Sequence, residues 1–156
     1  YFLKALGSKS LKNLTFQRYL YGPFAPKLKF VIEELEGHYI KGLKAMDAKA
    51  FDPLILDHRA IAEATKNKQL VAPDHSALVA LKELIDGFES AYGLELLASV
   101  HWVMQRGATN ETAVVEAIQN WSARKKKLFP EQHLKIAFDH LVANDHLFKL
   151  SPTLFS

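Results

Sequence analysis

Leu94-Glu95-Leu96-Leu97-Ala98-Ser99-Val100-His101-Trp102-Val103-Met104-Gln105 carries more structural information than any other run in the chain. Leu94, Leu97, Ala98, Val100, Trp102 and Val103 fall on more than one face of a helix. A helix that is apolar all round is buried, so this one is expected at the centre of the domain. Gly93 is read as the break that separates it from the preceding helix. Gly107 ends it, because glycine accepts the left-handed backbone of a helix terminus.

The same reading extends outward. Leu78, Leu81, Leu84, Ile85 and Phe88 recur at spacings of three and four and predict an amphipathic helix before the central one. Asn110 can cap a helix bearing Val114, Val115, Ile118 and Trp121. Pro130 opens a last long helix with Leu134, Ala137, Phe138, Leu141 and Val142 on one face, and Leu147 to Leu150 adds a strand or a packed tail. The second half is thus almost entirely helical, in winged-helix-like proportions.

The first half reads differently. Leu14 to Leu20 alternates aromatic and polar residues and predicts a strand. Tyr21-Gly22-Pro23-Phe24-Ala25 is an aromatic loop, and Pro26 suits the first turn of a helix, where its missing N–H needs no partner. Leu28, Val31, Ile32 and Leu35 give that helix its apolar face, Glu33, Glu34 and Glu36 lie opposite, and Gly37 stops it. His38 to Gly42 and Pro53 to Leu56 are two more short strands, joined by a charged loop from Leu43 to Phe51. Asp57 caps a helix through about Lys66. The three strands are expected in one small antiparallel sheet. The fold class is α+β, mainly α, as one domain over residues 1–156 with lobes of about 1–72 and 73–156.

Apolar residues make up 49% of the 156, charged residues 24%, and the formal net charge is +3. No apolar run approaches the roughly 18 residues of a membrane-spanning helix. Cysteine is absent, which excludes disulfides, thiolate metal sites and a thiol nucleophile; a cytosolic, cytoplasmic setting fits. The opening Tyr1 to Gly7 reads as the last turns of a helix begun upstream, as in a C-terminal domain taken from a longer chain.

Catalytic constellations are missing from the sequence pattern. No phosphate-loop, Gly-x-Ser-x-Gly or His-Glu-x-x-His motif occurs. His133 and His140 share one side of a helix at a spacing of seven, whereas paired metal ligands on a helix usually stand three or four apart. No cofactor and no metal is expected. Arg124-Lys125-Lys126-Lys127 is the one dense basic cluster, either a solvated linker between helices or a contact for phosphate or an acidic partner.

Two stretches resemble a known family. Tyr21-Gly22-Pro23-Phe24-Ala25-Pro26-Lys27-Leu28 with Leu35-Glu36-Gly37-His38-Tyr39-Ile40-Lys41-Gly42 forms the first, and Gly87-Phe88-Glu89-Ser90-Ala91-Tyr92-Gly93 running into Leu94 to Val103 the second. With Trp121 to Lys125 and Phe129 to Gln132, they are similar to the C-terminal domain of the DarG antitoxin across nearly the whole chain. The resemblance implies a domain that binds the toxin DarT, an NAD-using enzyme that ADP-ribosylates thymine in single-stranded DNA. DarG carries its ADP-ribosyl hydrolase in an N-terminal macrodomain, so the resemblance implies no enzyme activity here. Blocking of the toxin's DNA site, by local DNA mimicry, is the implied mode. Partner-binding residues on that reading are Tyr21, Phe24, Glu36, His38, Tyr39, Glu89, Tyr92 and Glu95. No membrane and no small-molecule substrate is expected. The alternative is a winged-helix DNA-binding module that regulates its own operon. Against it, the last helix offers only Lys135 as a fully basic residue and no arginine. A protease adaptor, from similarity of the Tyr-Gly-Pro element to SocA-like and YwgA-like domains, is a third reading.

Overall fold

The computed structural model describes residues 1–42, 54–66 and 74–149. The order is α1 (Phe2–Ala5), β1 (Gln17–Tyr19), β2 (Gly22–Phe24), α2 (Pro26–Leu35), β3 (Ile40–Lys41), β4 (Ile55–Leu56), α3 (His58–Lys66), α4 (His75–Leu84), α5 (Ala91–Met104), α6 (Glu111–Gln119), α7 (Ala123–Leu128), α8 (Glu131–Ala143) and α9 (Asp145–Lys149). The protein is mainly helical with two small antiparallel sheets, the α+β class read from the sequence.

Helix α5 is the central element, packed against α6, α8 and β2. Leu97 and Val100 on it are fully buried, as are Leu84, Val114, Ile118, Leu134 and Ala137 from its neighbours. Side-chain caps punctuate the helical half. The hydroxyl of Ser90 accepts from the amide of Gly93, the side chain of Asn110 from Ala113, and that of Ser122 from Lys125. Each cap satisfies a helix-end N–H that would otherwise lack a partner, worth about 1 kcal/mol.

Gly93 does not break the chain between helices, as its type suggested; it lies in the first turn of α5. The reason is steric. A Cβ at Gly93 would stand 2.7 Å from the carbonyl oxygen of Phe88, so the incoming loop crosses the helix too closely for any side chain. Alanine in mid-helix normally stabilises relative to glycine by roughly 0.5–1 kcal/mol. Here we expect the opposite sign: Gly93→Ala should destabilise by about 1–3 kcal/mol, because backbone must move. Urea unfolding of the two proteins measures it.

The strands depart from the single three-stranded sheet expected. β1 and β2 form a hairpin of their own, with Gln17 opposite Phe24 and Tyr19 opposite Gly22, and β3 pairs with β4 in a second sheet. The stretch read as a loop, Gly22-Pro23-Phe24, is therefore a strand. Leu20 and Tyr21 are the two residues between paired strands, and Gly22 takes a φ of 122° as the chain reverses. Pro26 begins α2 and Gly37 follows its end at φ 87°, both as read. Asp57 accepts from the amide of Arg59 at the start of α3, as its capping role required. The charged loop from Leu43 to Phe51 and the boundary after Lys66 lie outside the described residues.

The tail is the packed alternative of the two expected: Asp145–Lys149 is a helix, seated by Leu147 in the core. The basic run differs from a solvated linker. Arg124 to Lys127 lies on α7, with Lys125 wholly buried.

Candidate functional site

Helix α2 has no buried residue. Leu28, Ile32 and Leu35 are half-covered, while Phe30 is 64% exposed and Val31 is open as well. The hairpin tip adds Tyr19, Leu20 and Tyr21, the turn after α2 adds Tyr39, and β4 with its approach adds Leu54, Ile55 and Leu56. Among the described residues, every exposed large hydrophobic except Val79, Ile136 and Val142 belongs to this segment, Tyr19 to Leu56. Exposed apolar residues gathered in one stretch of chain point to an interaction there.

The hairpin carrying the aromatic tip is fastened to the helical core at two levels. At the end of β1, the Trp121 indole N–H donates to the carbonyl of Tyr19 at 3.1 Å. Arg18 donates to the carbonyls of Trp121 and Asn120 at 2.6 and 3.1 Å, with its guanidinium 4.9 Å from the Trp121 ring centre. Nearer the tip, Arg124 lies 4.6 Å from the ring centre of Tyr21. Gly22 packs over Ser99 of α5, where a Cβ would stand 3.5 Å from the hydroxyl oxygen.

Beneath the tip is a buried ionic cluster. Arg124 grips Glu95 with two hydrogen bonds, Nη1 to Oε1 at 2.5 Å and Nη2 to Oε2 at 3.0 Å. Lys125 Nζ donates to Glu95 Oε1 and to Ser99 Oγ, each at 2.8 Å, and the Ser99 hydroxyl donates to the carbonyl of Glu95 at 2.6 Å. The Lys125 side chain is 0% exposed and that of Glu95 5%. The rings of Trp121 and Phe129 each lie 5.0 Å from the ammonium. Burial pushes the Glu95 carboxyl up, but the hydrogen bonds and charges of Arg124 and Lys125 outweigh it and leave it below the usual carboxylate range. Burial lowers Lys125, against the pull of Glu95, while the bond to Glu95 raises Arg124. A buried charge is tolerated only when paired and hydrogen-bonded, and this arrangement meets that condition.

The eight residues expected to bind a partner divide on this geometry. Tyr21 and Tyr39 are exposed in the apolar segment, and Phe24 packs its ring 5.1 Å from Tyr19 beside them. His38 is exposed in the turn after α2, and Glu36 accepts from the amide of Gly42 at 3.1 Å. Glu95 is the correction: it faces the interior, where it neutralises Arg124 and Lys125. Tyr92 is half-covered; its hydroxyl lies 2.7 Å from His133 Nδ1 and its ring meets Phe129 edge-on, so it joins α5 to α8. Glu89 is exposed just ahead of the Ser90 cap of α5. There its charge complements the helix N-terminus.

Arg124 and Lys125 find their acidic partner inside the protein, while Lys126 and Lys127 stay exposed. Lys125 cannot reach a phosphate, which weakens the operon-regulator reading. Sequence reasoning missed Arg124 and Ser99 as parts of one constellation with Glu95. The spacing Glu95-x-x-x-Ser99 was visible, but the 29 residues separating Glu95 from Arg124 gave no signal. Of the histidines, His133 meets Tyr92, and His140 Nε2 lies 2.7 Å from the carbonyl of Leu84. No three histidine, aspartate or glutamate side chains converge on a metal position among the described residues.

Known proteins place this chain in context. A Thermus aquaticus protein named DNA ADP-ribosyl glycohydrolase is 37% identical over 143 residues, 91% of this chain. Proteins of the same name from Mycobacterium bovis and Mycobacterium tuberculosis are 29% identical over 133 residues, 78% of this chain. The chain is similar to DNA ADP-ribosyl glycohydrolases. It spans 38% of the Thermus protein and 36% of the mycobacterial ones. No protein-family profile matches it. These relatives support the DarG-related resemblance at the level of the family. They also overturn the expectation of no enzyme activity here: proteins named for a glycohydrolase activity match this chain over most of its length. No helix among the described residues is long and apolar enough to cross a membrane.

Proposed function

We propose that this domain binds a DNA ADP-ribosyltransferase toxin of the DarT type and inhibits it by direct contact, through the face formed by the β1–β2 hairpin tip and α2. The observation that carries the proposal is the concentration of exposed Tyr19, Tyr21, Phe30 and Tyr39 on one segment of a domain whose helical half is otherwise well covered. Aromatic side chains are the commonest interface anchors, since they bury large areas with few rotamers to fix. A single-strand DNA site offers a basic groove and surfaces on which bases stack. Exposed tyrosine and phenylalanine can take the place of bases there, and Glu34 on the open side of α2 can take the place of a phosphate. With a net charge of +3, such mimicry is confined to this face.

The experiment titrates the domain into the toxin with NAD and single-stranded DNA and follows DNA ADP-ribosylation. Inhibition that saturates at one equivalent supports the proposal; full toxin activity at saturating domain ends it. Tyr21→Ala and Phe30→Ala should each raise the dissociation constant at least tenfold, as for residues at the centre of an interface. The Phe30 side chain is exposed, so Phe30→Ala should barely move the unfolding midpoint. The relatives' name favours a second reading, that this chain contributes to removal of ADP-ribose from DNA. Preformed marks lost on adding the domain, with no toxin present, would support it.

A further inference from the structure

Between the exposed tip and the buried carboxylate stands one side chain that touches both. Arg124 presents its guanidinium to the Tyr21 ring on one side and clamps Glu95 through two hydrogen bonds on the other. Glu95 is itself immobilised, held by Lys125 from below and rooted on the central helix. The contacts of Arg18 and Trp121 engage backbone carbonyls and fix the path of β1 up to the turn, whereas Arg124 engages the Tyr21 ring itself. A two-stranded hairpin is marginal on its own, and its turn holds one arrangement only if something docks it. A planar guanidinium fixed at two points offers a flat, oriented surface to an aromatic ring, which a lysine would not.

We infer that Arg124 is the positioning residue of this face: clamped by Glu95, its guanidinium seats the ring of Tyr21 and holds the hairpin tip ready for a partner. The consequence for affinity rests on the toxin-binding reading above; the consequence for the hairpin does not. Arg124 thereby couples the ionic cluster of the core to the presentation of an exposed aromatic. Pre-ordering of this kind raises affinity by removing the entropy lost when a loose tip is fixed on binding.

The test has two arms. In the free protein, amide hydrogen exchange is followed for Arg18–Phe24 and for α5 and α8, comparing wild type with Arg124→Gln and Arg124→Lys. Exchange in the hairpin should speed about tenfold in Arg124→Gln, with the helices unchanged. Arg124→Lys, which keeps the charge but not the planar fork, should fall between. An unchanged hairpin, or equal acceleration everywhere, overturns the inference. In the second arm, toxin affinity is measured for Arg124→Gln in the wild-type and Tyr21→Ala backgrounds. Arg124→Gln should weaken binding about tenfold in the wild-type background and less than about twofold in the Tyr21→Ala background, the coupling expected if it acts through that ring. Equal losses in both backgrounds, or none in either, overturn it. A wild-type chain that binds no toxin defeats the proposed function alone, because hydrogen exchange still decides whether Arg124 seats the tip.

Discussion

Glu95→Ala should destabilise the domain by about 3–5 kcal/mol, as the loss of one member of a buried ion pair typically does. The substitution removes a carboxylate whose side chain is 5% exposed and leaves the Lys125 ammonium, 0% exposed, with only the Ser99 hydroxyl as a polar partner. Nothing nearby can replace the charge, since Arg124 repels rather than neutralises it. A companion substitution isolates the cause. Glu95→Ala together with Lys125→Met removes both buried charges while keeping a side chain of similar length, and most of the lost stability should return. Urea unfolding of the three proteins measures this, and a double variant no more stable than Glu95→Ala would show that the cost lies elsewhere. The two effects separate stability from specificity. The ion cluster orders the surface above it, as well as satisfying its own charges.

The second large effect is a dependence on acid. His101 is 3% exposed, with its Nδ1 2.7 Å from the Tyr1 hydroxyl and its ring stacked on Phe148 at 4.5 Å between centres. Burial lowers its pKa to about 4. In the unfolded chain histidine titrates near 6.5. Between these values the unfolded chain holds more protons than the folded one, so stability rises with pH across that window. The contribution is complete above about pH 6.5 and is lost as pH falls toward 4, amounting to roughly 3 kcal/mol for a shift of this size. His101→Gln removes the titration, so the difference between the two proteins should narrow steadily from pH 7 to pH 4. A parallel pair of stability curves over that range would exclude the assignment. Lowered carboxylates such as Asp57 and Asp74 titrate in both proteins and cancel from the difference.

Both effects originate in polar residues of the most apolar helix, and they mark where reading the sequence stops. That α5 is central followed from apolar residues on every face, and the caps at Asn110 and Asp57 followed from residue type and position. His101 lies beside Trp102 in that same helix, a position that by itself points to a core histidine. Glu95 was not legible as a core carboxylate. Its partners come from α7, and a cluster of four basic residues reads as solvent-facing unless the chain path turns two of them inward. Gly93 was misread for a similar reason: its type suggests a terminator, but its necessity comes from the carbonyl of Phe88 pressed against the helix. Tyr92 packs between α5 and α8, and Glu89 stands exposed at the start of α5.

Residue order was enough for the class of the fold, most of its longer helices, the proline start and glycine stop of α2, and the similarity to DNA ADP-ribosyl glycohydrolases. These are local properties: spacing, capping chemistry and backbone preference act over a few residues, and similarity needs only their order. Folding in three dimensions settled the rest: that the strands form two sheets, that Lys125 is buried, and that Arg124 stands between Glu95 and Tyr21. Each of these depends on which distant segments meet. Charge in a protein takes its meaning from that meeting, because the same lysine is a solvated point charge at the surface and, in the interior, an ion that must be paired.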